Sequence, residues 1–292
     1  MNRKTLLAGV VCVVVSAICF GTIPLFSQIT YRSGIDPKTL LFFRFGIASL
    51  CLSALALVQR QSFPIGRNLV WLIGLGSVGF VLQSFCFFSS LTLISGSLAT
   101  LLVYLYPVFV VCFSLLRGRP IRSDEAVALM LALIGSYLTI GPTIEQASSG
   151  AVVGILLALA AAIVYAAYVV IGEKILAQEQ AVPSVAIMSA AAARVYGVAG
   201  VVQGFTFPTN ISGWWAVACI GIVCAAFAIG LLFQGIKLIG SVNASILSNL
   251  EPIVTVVIGT AFLGEMLTLE KVLGGLLIVF AGVVLAKLAY QN

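Results

Sequence analysis

Glu251 is the one acid of nine that sits deep in an apolar stretch of this 292-residue chain, and Pro252 follows it. Proline removes a backbone donor and opens a helix locally, so the carboxyl stands where the chain bends most easily. Two chemistries suit it: holding a substrate amine, or taking up and releasing a proton as its surroundings change. The structural alternative is a carboxyl kept neutral, or paired to fasten two helices. Arg44 and Arg194, roughly two and three turns inside other apolar stretches, carry the opposite charge, and a guanidinium grips a carboxylate through two parallel hydrogen bonds. Snorkelling to an interface competes with that role, as does pairing of Arg44 with Asp36. Gln83, Tyr104, Tyr106 and the cluster Ser245, Ser248 and Asn249 bring amide and hydroxyl groups to similar depth. They suit either a zwitterion or the ordinary gluing of one helix to another. Gly21, Pro24, Pro107 and Pro252 read as hinges or bends rather than ligand contacts.

These groups are embedded in an extremely apolar chain: 61% of residues are hydrophobic and only 8% charged, against roughly 25% charged in soluble domains. So few charges cannot cover a water-facing surface. The apolar stretches run to about 20 residues, enough to cross a ~30 Å hydrocarbon layer. The first stretch follows Arg3 and Lys4 as a signal peptide would, but it runs on without a convincing cleavage site and is expected to be retained. All seven cysteines fall in apolar stretches with no CxxC pair, and there is no histidine. No metal or other cofactor is therefore expected, and a membrane enzyme lacks the paired groups it would need. A channel would carry polar rings along a pore, whereas the polar groups here gather near mid-membrane. Nucleotide-driven pumping has no GxxxxGK[ST] segment to support it.

The pattern predicts ten transmembrane helices, at about 5–28, 37–58, 68–93, 96–116, 123–141, 151–175, 183–204, 213–237, 242–263 and 269–288. With a cytoplasmic N-terminus, the inner segments hold Arg3, Lys4, Arg60, Arg67, Arg117, Arg119, Arg122, Lys174, Lys237 and Lys287. The outer loops hold only Arg32, Lys38 and Lys271. By the positive-inside rule both termini are cytoplasmic. The net charge of +6 is thereby a topology signal, and no nucleic-acid partner is needed to explain it.

The chain also repeats itself. A shift of 145 positions lays Gly9 on Gly154, Ala17 on Ala162, Ile18 on Ile163 and Phe20 on Tyr165. The same shift lays SLATLLVYLYPVF on VNASILSNLEPIV, matching Pro107 with Pro252 and Ala99 with Ala244. Two five-helix repeats are expected, at 1–145 and 146–292. An odd number of helices per repeat inverts the second in the membrane, the arrangement of many secondary transporters.

On these two halves, Arg44 within LLFFRFGIASL, the proline of the fourth helix and FLGEMLTLEKVLGG with Glu265 and Glu270, the whole chain resembles the drug/metabolite transporter superfamily. Within that superfamily it resembles the EamA-type ten-helix exporters. The segments TLLVYLYP and VYAAY are similar to those of YddG-type aromatic amino acid exporters. That resemblance implies amino acid export through a central cavity between the halves, with Tyr104, Tyr106 and Tyr165 in its lining. Tyrosine stands at the second and third of these positions, where such relatives have tryptophan. The implied protein is an all-α membrane transporter of the cell inner membrane, working by alternating access on aromatic or other neutral amino acids or similar metabolites. Efflux of drugs or other metabolites is the alternative. The partners are a small-molecule substrate and the lipid bilayer, and a monomer is compatible with all of this.

Overall fold

Apolar stretches in lipid satisfy their backbone polar groups by coiling into helices, and the computed structural model is helical, with no strand among the described residues. These are residues 3–90, 93–94, 99, 102–140, 149–262 and 267–291. The expected boundary between repeats at 145–146, and Glu265, lie outside them.

The helices are α1 (Arg3–Gly21), α2 (Ile23–Arg32), α3 (Pro37–Val58), α4 (Gly66–Gly74), α5 (Val81–Ser90), α6 (Tyr106–Leu116), α7 (Ser123–Ile140) and α8 (Ser149–Leu176). They continue as α9 (Ala181–Gln203), α10 (Ile211–Gly221), α11 (Ala228–Ile239), α12 (Ser241–Leu247), α13 (Glu251–Phe262) and α14 (Leu269–Gln291). Among the described residues seven helical stretches are long and apolar enough to cross a membrane, namely Thr5–Arg32, Pro37–Val58, Gly66–Ser90, Ala151–Leu176, Ala181–Gln203, Ile211–Ile239 and Ser241–Phe262, with the shorter apolar Tyr106–Leu116 beside them. Large apolar side chains such as Leu50, Val58, Val70 and Val201 face outward, where a lipid-facing surface puts them.

Several expected continuous helices are interrupted. The first breaks between α1 and α2 at Thr22, with Pro24 in the first turn of α2. The third passes through a π-helical segment at Leu75–Phe80, and its counterpart through another at Ile222–Phe227. Such π turns are rare and often mark functional positions. The helix expected over 242–263 is broken by a 3₁₀ turn at Ser248–Leu250 just before Pro252, and α6 begins one residue before Pro107.

The helices pack in reciprocal pairs. α3 packs on α9, α7 on α14, α1 on α11, α5 on α8, and α6 on α12. The reciprocity extends to single residues. A methyl group added at Gly9 would stand 2.5 Å from Cγ2 of Ile239 and 3.0 Å from Cβ of Leu238; one added at Gly154 would stand 2.8 Å from Cγ2 of Ile94 and 2.9 Å from Cβ of Leu93. Ile239 and Leu238 stand 145 residues beyond Ile94 and Leu93, as Gly154 does beyond Gly9. Each half therefore offers the other the same contact, as two bodies related by a two-fold rotation do.

Outside the spans, Asp36 accepts a hydrogen bond from the Thr39 amide (2.7 Å) and caps α3, with Lys38 at 3.3 Å. Partial burial pushes its carboxyl up, but the Thr39 hydrogen bonds and the Lys38 ammonium outweigh that and hold it below its ordinary value.

Glycine lets helices approach closely at some positions and not at others. Cβ built at Gly76 collides with the backbone of Met188 on α9, whereas Gly46 has nothing within 4 Å. Gly76→Ala should cost about 1–3 kcal/mol, read as a lowered thermal midpoint in detergent, while Gly46→Ala should leave the midpoint unchanged.

Candidate functional site

The broken helices meet in one place. At the break between α1 and α2 the Thr22 hydroxyl donates to the Cys19 carbonyl (2.6 Å) and lies 3.2 Å from Sγ of Cys224 in the second π segment. Gly21 fits against α13: a methyl there would stand 2.6 Å from Cβ of Val254 and 3.0 Å from the Glu251 carbonyl oxygen. The Thr255 hydroxyl is shared between the carbonyls of Glu251 (3.2 Å) and Gly21 (3.4 Å). The missing side chain of Gly21 thus lets two interrupted helices touch beside the carboxylate.

Against this junction lies a cavity of about 100 Å³. Pockets for drug-sized ligands span about 300–1,000 Å³, so a substrate of that class needs the helices to move apart. Arg44, Gln83, Tyr104, Tyr106, Tyr165 and Glu251 line the cavity, together with Phe20, Phe45, Phe80 and Tyr168.

Two ionisable groups of opposite kind, Arg44 and Glu251, line this space. The Tyr104 hydroxyl is hydrogen-bonded to the Glu251 carboxylate. The guanidinium carbon of Arg44 lies 5.5 Å from the centre of the Phe45 ring, and its Nε is buried with no hydrogen-bond partner. Asp36 is engaged by Thr39 and Lys38, and the ion pairs of the described residues do not include Arg44 or Glu251. A cation with an unused donor and a carboxylate thus share one small aromatic chamber.

The aromatic wall is continuous. Tyr106 stacks on Tyr165 with ring centres 4.1 Å apart and planes 10° from parallel, and Tyr165 on Tyr168 at 5.0 Å. Phe80, which closes the first π segment, packs edge-on to Tyr168 (5.1 Å) and stacks on Phe45 (5.6 Å). Tyr168 is not among the residues singled out from the sequence, although its place three residues after Tyr165, on the same helix face, was a signal that could have found it. Phe80 had only the glycine-rich run LGSVGF to mark it.

Ser245, Ser248 and Asn249 serve α12 and its neighbours instead of the cavity. Ser245 donates to the Val242 carbonyl and Ser248 to the Ala244 carbonyl. The Asn249 amide donates to the carbonyls of Ser245 and Ile246, and its oxygen accepts from Ser136 of α7 (3.1 Å). Ser245 and Ser248 bond back to their own helix as buried hydroxyls do, and Asn249 tethers the 3₁₀ turn to α7 inside the membrane, where no water is at hand. Tyr106 adds to this by donating to the Ser245 carbonyl (3.2 Å). Pro107 and Pro252 each occupy the second position of the helix that follows a turn, and Arg194 stands away from the cavity on the exposed face of α9.

Reciprocal halves, interrupted helices and a central polar chamber within a multi-pass helical bundle define a membrane transporter. The EamA-like transporter family profile matches the chain twice, at residues 7–141 and 152–287, and the chain belongs to that family. It is 27% identical to the uncharacterized transporter YcbK of Bacillus subtilis, over 96% of this chain and 94% of the relative. It is also 28% identical to an uncharacterized transporter of Archaeoglobus fulgidus (95% and 96%) and 26% identical to the uncharacterized inner membrane transporter YicL of Salmonella typhimurium (92% and 92%). A solved crystal structure superposes over all of this chain and 99% of its own, with a TM-score of 0.82 at 22% identity, which establishes likeness of fold.

Asn249→Ala should destabilise the protein by about 1–3 kcal/mol, because it leaves buried partners unsatisfied. In a thermal melt this appears as a lower midpoint, while the ranking of transported substrates should not change.

Proposed function

We propose that this transporter exports small zwitterionic metabolites, amino acids above all, by alternating access of two inverted five-helix halves around the central cavity. The observation that carries the reading is the pairing, in one chamber, of an arginine with an unused donor and a carboxylate. An α-amino acid presents the complementary pair, with its carboxylate to Arg44 and its ammonium to Glu251. The aromatic wall accepts an apolar side chain, and an ammonium beside it gains a further attraction from the ring faces.

The reciprocal packing of the halves supports alternating access, since two equivalent arrangements of the same contacts are available to them. On this reading Ser123–Ile140 and Leu269–Gln291 complete a set of ten spans, with both termini on the cytoplasmic side of the cell inner membrane. A fluorescent protein fused at the C-terminus should then be bright and a periplasmic phosphatase fused there inactive; the reverse pattern would discard the topology.

Transport runs either as facilitated diffusion down the metabolite gradient or as proton exchange at Glu251. Purified protein in liposomes should show counterflow of labelled phenylalanine or threonine without an imposed pH gradient if diffusion operates. Glu251→Gln and Arg44→Gln should each lower that counterflow about 10- to 100-fold, as expected for loss of a charge-assisted hydrogen bond. Movement of a cationic dye with no amino acid counterflow would replace this reading with drug efflux. Glu251→Gln transport with unaltered rate and pH dependence would eliminate the proton version.

A further inference from the structure

Arg194 takes no part in the cavity. It is exposed on α9 and makes no hydrogen bond or ion pair with any described residue. It borders a separate groove of about 390 Å³ on the outside of the bundle, walled by Ile73 and Ser77 on one side and by Ile187, Ala190 and Ala191 on the other. The last three stand seven, four and three positions before Arg194, on its own helix face. Helical side chains lean towards the N-terminus, so the guanidinium lies along the groove.

An ionised side chain facing hydrocarbon costs about 3 kcal/mol or more until it meets a counter-ion or water. The described residues provide no such partner. A second copy of the chain provides none either, because among the described acids all but Glu251 lie in loops or in the first or last turn of a helix at the edge of a span, and Glu251 lines the central cavity. The counter-charge must arrive from the bilayer. The floor of the groove is apolar apart from Ser77; it reaches Val195 and Val198 on the Gln203 side of Arg194 and runs further, to Ile187, away from the Gln203 end of α9. That is the course an acyl chain takes below a headgroup on the Gln203 side.

We propose that this groove is a binding site for an anionic phospholipid, with its phosphate against Arg194 and one acyl chain lying over Ala190, Ala191 and Ser77. Arg194 stands about 13 Å of helical rise below Gln203. Local thinning of the bilayer, which draws headgroups down to intramembrane arginines, covers that depth.

The test is native mass spectrometry of the detergent-purified full chain titrated with phosphatidylglycerol or phosphatidylcholine. Wild type should retain a single phosphatidylglycerol at about five- to tenfold lower concentration than phosphatidylcholine, and Arg194→Gln should abolish that preference. Ala190→Phe, which keeps the charge but fills the groove, should weaken phosphatidylglycerol retention about fivefold. Undiminished retention by Arg194→Gln overturns the site, and undiminished retention by Ala190→Phe overturns the place given to the acyl chain. Lipid retention is read without any transport assay, so this result stands or falls apart from the proposed substrate.

Discussion

A helix interrupted inside lipid must hand its orphaned amides and carbonyls to something other than water, and the interior of this protein is organised around that requirement. The 3₁₀ turn at Ser248–Leu250 is supported by Asn249 and Tyr106, which both donate to the Ser245 carbonyl, and by Ser136, which holds the Asn249 amide in place. The break at Thr22 survives because its hydroxyl caps the chain locally and Thr255 reaches across to the Gly21 carbonyl. The two repairs meet at Glu251. A polar chamber exists where the interruptions converge, since only there is the bilayer interior already furnished with hydrogen-bonding groups.

The same economy sets the limits of the site. Burying Arg44 and Glu251 without joining them as an ion pair is costly, and each is partly compensated: the guanidinium by the Phe45 ring and the carboxylate by the Tyr104 hydroxyl. The unused Nε of Arg44 is the remainder, and under the proposed function a substrate carboxylate would supply what is missing. The small volume of the chamber means that this compensation happens in a crowded, nearly closed state, so that substrate contact and helix movement are bound together.

Much of this was legible in the sequence because lipid imposes simple rules. Long apolar runs with basic residues skewed to one side give spans, and the matching of Gly9 with Gly154 and Pro107 with Pro252 gives the repeat. Glu251, Arg44 and the tyrosines stood out because polar groups at that depth demand a reason. The uses of Ser245, Ser248 and Asn249 were not legible, since a hydroxyl facing a cavity and one repairing a helix look alike until the 3₁₀ turn is seen. The π segments left little sequence mark beyond the glycines of LGSVGF, because an extra residue in a helical turn has no composition of its own. Phe80 was missed with them, its orientation being set by that extra residue.

The separated charges of the cavity bear on energetics in another way. With Arg44 and Glu251 both ionised, the chamber has no net charge, and a zwitterion adds none. The membrane potential does work of about 2.3 kcal/mol per elementary charge for each 100 mV, but only on charge that crosses. A passenger and chamber that are jointly neutral cross the field without gaining or losing energy from it. In facilitated diffusion the direction of net flow is then set by concentration alone, and a polarised cell can neither hold such a substrate in nor drive it out electrically, whereas exchange for a proton would move one charge and couple the flow to the potential.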